Sequence, residues 1–298
     1  MSMRKIMPSR PWPIVLVLVA LPAFAAMTER YYFETPRQGE TALEADFDLA
    51  LGRVEVAKAE PGYLFQAEVV LEDKEMVPEV DVDRDGRTAH LSLGFDSGGD
   101  GGDGLTVRGF KAPEENEWLL YLSDEVDLDL EFEFGMADAD LDFTDLRVER
   151  LSIESGMAKT HLVFNRRNPV VMEALEIDAG MSKFYGKRLG NARFERFTFE
   201  GGAGSFDLDF SGGPLPPGAV ADLEVGMATL HVTLPDNAPV ILYAPDSWLA
   251  RVEIPDNYVK RGKGLWHSAQ VRDEEDAFVV NIEAGMGKVT CVTAQHAD

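Results

Sequence analysis

The chain has 298 residues, 45% of them hydrophobic and 27% charged, enough for one large domain or two ordinary ones with a real core, and too apolar for wholesale disorder. Twenty-eight Lys and Arg stand against 53 Asp and Glu, a formal net charge of −25, which argues against a nucleic-acid backbone or an anionic lipid surface as the main partner. The single cysteine, Cys291, excludes an intrachain disulfide framework and any multi-cysteine metal site.

Residues 1–13 carry Arg4, Lys5 and Arg10 and no acidic residue, and the apolar run Ile14 to Leu21 follows before Pro22. That run is shorter than the ~20 residues needed to span a bilayer. Ala23 and Ala25 flank Phe24 as small residues where a signal peptidase reads. Segment 1–26 is therefore read as a signal peptide, with cleavage after Ala25 preferred over a retained anchor. The mature chain then carries 25 − 53 = −28 and no transmembrane helix, and it is exported to the periplasm or the extracellular space.

From about residue 40 the chain reads as strands. In Glu125 to Phe134 charged and apolar side chains alternate strictly, placing Val126, Leu128, Leu130, Phe132 and Phe134 on one buried face. The pattern recurs around Gly135, Gly156, Gly180, Gly202 and Gly226, at steps of 21, 24, 22 and 24 residues, with a last copy at Gly285. At nearly every copy the inward parity switches: Phe134 before Gly135 gives way to Ala139 and Leu141, and Leu51 before Gly52 gives way to Val54 and Val56. A period-2 strand changes parity only with an extra residue, so each glycine is predicted to sit at a bulge or corner that demands positive φ or close backbone stacking. Strand, glycine corner, strand is then the repeating unit of an all-β solenoid. The divisions expected are an N-terminal β portion (27–110), a central repeat solenoid (111–234), and a Pro- and aromatic-rich insertion with the C-terminal rung (235–298).

Methionine follows the corner glycine at Met136, Met157, Met181, Met227 and Met286. Filling irregular gaps in a core is the preferred reading of such a ladder; an exposed, adaptable apolar stripe for a partner is the competing one. The insertion 235–276 holds Trp248, Tyr258 and Trp266 among its prolines and reads as a cap for the open edge of the last rung, with a binding surface as the competing reading. Met136, Met157, Met181, Met227, Trp248 and Trp266 are the candidate interaction residues.

Asp81, Asp83, Asp85 and Gly86 open like a calcium loop, but the twelfth place is Ser92 rather than Glu. The flanking apolar alternation favours a hairpin turn on Asp85-Gly86. The run Gly98 to Gly104 resembles half of a calcium-binding repeat and reads better as a loop. No cofactor is expected beyond weak calcium binding by an acidic exported chain. Five positions after the corner glycines stand Asp140, His161, Tyr185, Asp207 and His231. Stacked in register they form a column on which acid–base chemistry on a polysaccharide could be built, or simply a ladder of paired charges. His90, His267 and His296 show no zinc spacing, and no phosphate loop, dinucleotide fingerprint or nucleophile elbow is present.

Asn116 to Ser123, the Gly-Met-Ala and Gly-Ala-Gly corners, Phe194 to Gly202, Leu208 to Gly212 and the ending from Gly264-Leu265 through Val279 to Val289 resemble the toastrack family. That family includes the extracytoplasmic domain of LiaF-like cell-envelope stress proteins. The resemblance spans roughly residues 40–293. It implies a right-handed single-stranded β-solenoid, no established enzymatic activity and an envelope role in sensing or protein contact, and it supplies no catalytic residues. Stress-group members carry transmembrane helices beside the domain, whereas this chain has only the signal-like segment. The expected function is an exported non-catalytic module contacting a protein or cell-envelope component, without nucleic acid. The alternatives are a carbohydrate-binding or carbohydrate-active β-helix, or a calcium-stabilised adhesin-like surface protein.

Overall fold

The computed structural model describes residues 28–72, 76–95, 116–245 and 249–294; the signal-like segment and the Gly98 to Gly104 run lie outside them. Sixteen strands form one continuous hydrogen-bonded sheet. They are β1 (Glu29–Pro36), β2 (Ala42–Lys58), β3 (Tyr63–Leu71), β4 (Pro78–Asp85), β5 (Thr88–Phe95) and β6 (Glu117–Leu122), followed by β7 (Asp127–Asp142), β8 (Arg147–Val163) and β9 (Met172–Lys187). Then come β10 (Phe194–Asp209), β11 (Val220–Leu234), β12 (Val240–Tyr243), β13 (Ala250–Glu253), β14 (Val259–Gly262), β15 (Leu265–His267) and β16 (Phe278–Thr293). A 3-10 turn, Leu189–Ala192, is the one helical element among the described residues.

The central strands follow from the alternation. In β7 the even residues Leu128 to Phe134 are buried, and after the corner Ala139 and Leu141 are buried instead. Each long strand thus has two legs that turn their apolar faces into the same interior. Strands β7, β8, β9, β10 and β11 stack in chain order, parallel and in register, so chemically like residues sit above one another. Phe47 stacks on Phe132 at 4.7 Å and Phe143 on Phe164 at 5.8 Å, and the whole interior is one hydrophobic cluster. Such ring pairs contribute about 0.5–1.5 kcal/mol each beyond their burial.

A second change of parity lies near the start of the legs. Val148 and Leu151 are both buried, with Glu149 and Arg150 both outside, and the register slips between Leu128 and Asp129 at that point. Met172 and Leu175, and Phe194 and Phe197, repeat the step. The bulge brings Arg150 within 2.5 Å of Asp129 and 3.3 Å of Glu173.

The ends depart from a purely single-stranded repeat, because the sheet is mixed. β2 lies between β7 and a covering layer, with β5 along its first leg, β6 along its second, and β3 and β1 antiparallel beyond β6. At the other end β16 inserts between β11 and the segment that precedes it in sequence: β12 pairs with its first leg and β13 with its second. Both terminal rungs are thereby covered by chain that would otherwise leave an open strand edge.

Candidate functional site

The corner is built by close approach of backbones. A Cβ on Gly156 would lie 2.8 Å from the carbonyl oxygen of Gly135, one on Gly202 2.7 Å from that of Gly180, and one on Gly226 2.6 Å from that of Gly202. Gly135, Gly180 and Gly285 meet the rung beneath in the same way. None of the six has positive φ, so stacking rather than left-handed backbone is what demands glycine here. Gly52 is a correction to the sequence-based assignment. The register sets Leu51 against Met136 and Gly52 against Ala137, so Ala50 takes the corner place of the first rung. Gly52 has φ 130°, and a Cβ there would meet the Asn116 carbonyl at 2.5 Å. Its glycine answers to the covering layer, a contact that the period of the repeat does not encode.

The methionines after the corner face solvent. Met181 is 65% exposed, Met227 63%, Met286 47% and Met157 42%, while Met136 is half-buried. Met136 is paired with Met157 and Met227 with Met286, so the side chains form a stripe along the stacking direction, interrupted at Ala203. Exposure corrects the preferred reading of the ladder as core filling: it is a surface feature, because the side chain that follows the corner glycine lies outside the packed rungs. Of the other interaction candidates, Trp266 is half-buried with Lys260 Nζ 4.9 Å from its ring centroid, and Trp248 lies outside the described residues.

Beside this stripe runs a feature that residue-by-residue alternation does not reveal. Two positions before each corner the outward residues are Asp48, Glu133, Glu154, Asp178, Glu200, Glu224 and Glu283, each the register partner of the next. Seven carboxylates therefore stack at the rung spacing of about 4.8 Å. All are exposed, and among the described residues none has an ion-pair partner. Partial burial, and then the charges of Asp48, Glu154 and Glu131, push the Glu133 carboxyl above its usual value. The signal was available in the sequence as an acidic residue two before every corner glycine, but only the register turns seven separate positions into one line of charge.

On the opposite leg the register assembles the other column, Asp140, His161, Tyr185, Asp207 and His231. It lines an open groove of about 720 Å³ together with Lys187 and Asp209. Asp138 pairs with Lys159 at 3.6 Å and Asp140 with Arg53 at 3.5 Å. The rings of His161 and Tyr185 stack on each other at 4.7 Å and 10°. That separation equals the rung spacing, so the rings lie across the stack and turn their edges, not their faces, outward. A sugar ring packs against an open aromatic face, and this pair does not offer one.

The aspartates of 81–85 lie on the β4–β5 hairpin, whose turn holds Gly86 at φ 63°. Among the described residues no three His, Cys, Asp or Glu side chains converge to hold a metal ion. Cys291 is buried, which pushes its thiol up to about 12. His90 sits 3.0 Å from Glu44 and His267 4.0 Å from Glu274; His296 lies outside the described residues.

Stacked two-legged rungs with glycine corners, covered at both ends and bearing an apolar stripe, define an all-β repeat protein. The chain belongs to the family described as the N-terminal domain of toast_rack, DUF2154, whose model matches residues 25–185. The match ends within β9, and the same rungs continue beyond it through β10, β11 and β16. A search of curated proteins returned no match. Among solved structures, a candidate cell adhesion protein from Clostridium sporogenes aligns over 90% of this chain and all of its own, at 13% identity and a TM-score of 0.48. A candidate adhesin from Bacteroides fragilis aligns over 90% of this chain and 98% of its own, at 10% identity and a TM-score of 0.41. Among the described residues no helix is long and apolar enough to cross a membrane.

Proposed function

We propose that the protein is an exported, non-catalytic contact module, a right-handed single-stranded coil of rungs whose corner methionines engage a protein partner in the cell envelope. The exposed column of Met157, Met181, Met227 and Met286 carries this reading. Apolar side chains of that size aligned along one edge, interrupted only at Ala203, are withdrawn from water unless something covers them, and methionine suits a surface that must adapt to its partner. The glycine corner supports it, since stacking of bare backbone sets the methionines at a constant spacing on a rigid scaffold. The groove of Asp140, His161 and Tyr185 favours a catalytic or carbohydrate reading less, because Asp140 is ion-paired and the two rings cover each other.

A photo-crosslinking amino acid at position 181 or 227, in the full chain expressed in its native envelope, tests the reading. Discrete crosslinked species from both positions, absent when the probe stands at 185 in the groove, are expected. Recovery of monomer alone from 181 and 227 overturns it. N-terminal sequencing of the exported protein checks the signal segment, with Ala26 expected as the first residue.

A further inference from the structure

The contact surface has two tracks, and together they specify the chemistry of what it contacts. We infer, on the basis of the contact-module reading, that the partner presents a basic amphipathic helix, its apolar row on the methionine stripe and its Lys or Arg row on the carboxylate ladder.

Three observations lead there. The first is adjacency: the ladder residue and the methionine of one rung, such as Asp178 and Met181, are three residues apart on the outside of the same strand. The tracks therefore run side by side, within about 10 Å at ~3.3 Å per residue. The second is charge. On the far flank of the stripe the basic residues are largely spoken for, Lys159 by Asp138, Lys288 by Glu253 and Arg53 by Glu55. The ladder has no such partners. Its like charges oppose one another at every step, which is destabilising in a sheet, and a cationic row relieves that repulsion where it docks. The third is length. Seven rungs at about 4.8 Å put ~29 Å between the Asp48 and Glu283 ends, the length of a helix of about 19 residues at 1.5 Å per residue. Apolar residues at i, i+3, i+4 and i+7 give such a helix one apolar face and leave its flank free for Lys and Arg.

A second copy of the chain fits poorly. In a two-fold pairing through the stripe the ladder of one copy meets either the other ladder or the far flank, where Lys183 alone of the cations Arg53, Lys159, Lys183 and Lys288 has no ion-pair partner among the described residues, one positive charge against seven carboxylates. An anionic membrane is disfavoured by the same row of carboxylates.

The experiment uses the full mature chain and a 19-residue model peptide of Leu and Lys patterned as an amphipathic helix, with a scrambled peptide of equal composition as the reference. Binding is read by fluorescence anisotropy across a salt series. Neutralising Glu154→Gln, Asp178→Asn and Glu200→Gln together is expected to weaken binding about tenfold or more and to flatten the salt dependence. Removing the same number of charges from the hairpin, by Asp81→Asn, Asp83→Asn and Asp85→Asn, should leave affinity within about twofold. Met181→Gln with Met227→Gln should weaken binding comparably while the salt slope stays. Equal binding of the scrambled peptide, or equal effects of the ladder and hairpin variants, overturns the inference, as does tight binding to phosphatidylglycerol vesicles or a salt-sensitive dimer in place of peptide binding. Crosslinks at 181 and 227 that persist in the ladder variant would leave a contact module whose partner is not basic, so the two readings fail separately.

Discussion

Asn168 shows how much a single side chain can tie together in this repeat. It is 2% exposed on the return segment between β8 and β9, donates to the carbonyls of Val148 at 2.7 Å and Ala192 at 3.1 Å, and accepts from the Val148 N–H at 3.2 Å. Those carbonyls belong to the preceding and following rungs, so one amide bridges three layers. One rung on, Asn191 donates to the Phe164 carbonyl at 2.8 Å and accepts from Gly213 N–H at 2.7 Å. Replacing Asn168 by Ala strands several buried backbone groups, at a cost of about 1–3 kcal/mol each left unpaired. We expect a clear loss of stability on chemical denaturation, larger than for Asn165→Ala on the exposed part of the same turn. Equal losses from the two variants would show that the bridge contributes little.

At the scale of the strand, the corner glycines and the outer ladder give predictions of opposite sign. Gly180→Ala places a Cβ 2.8 Å from the Gly156 carbonyl, which forces two rungs apart and is expected to cost about 1–3 kcal/mol. Gly94→Ala, whose Cβ would make an ordinary 3.5 Å contact with Asp48, is the control and should melt close to the parent. The ladder residue Glu133 has a raised carboxyl value, so its charge opposes folding at neutral pH. Glu133→Gln should therefore melt higher than the parent near pH 7, by about 0.2–1 kcal/mol. The gain should fade as pH falls through the folded value towards the ordinary glutamate range. Glu40 has the opposite sign. Burial works to raise its carboxyl, but the hydrogen bond from Arg84 at 2.6 Å, with others from backbone N–H groups, outweighs it and holds the group below its usual value. Its contribution is present above the ordinary carboxylate range and lost as pH falls through the folded value. Glu40→Gln should thus destabilise at pH 7 and converge with the parent in acid. Melting curves of the two variants from pH 7 to pH 3 check both signs together.

For the molecule as a whole, the excess of acid is not evenly spread. Asp127, Asp129 and Arg147 or Arg150 neutralise one another near the start of the legs, and Arg37 meets Glu125 at 2.8 Å in the covering layer. Seven carboxylates without ion-pair partners among the described residues line up on one side of the corner, next to the exposed methionines. Overall acidity was first informative as an exclusion, of nucleic acid and anionic lipid. Its arrangement makes it directional as well, since the line of carboxylates has a length, a spacing and an apolar neighbour.

Strand, corner and repeat could be read from the residues because their causes are local: alternation of side chains sets which face is buried, and a glycine with a switch of parity marks each bend. Whether the methionines lay inside or outside could not be read that way, since a corner residue belongs to neither alternating face and only the packed rungs assign it. The same is true of Gly52, crowded by Asn116 just before β6, and of the bulge at Glu149-Arg150, which answers to its neighbour's register. Which strand lies beside which was decided by the ends of the molecule, where β16 fills a slot between β11 and β12 and the covering layer closes over β2. Those pairings are non-local, and they turned a list of acidic residues 21 to 85 positions apart into a ladder about 4.8 Å per step. Charge composition and repeat length were properties of the sequence alone; the line of charge beside an apolar stripe exists only once the rungs are stacked.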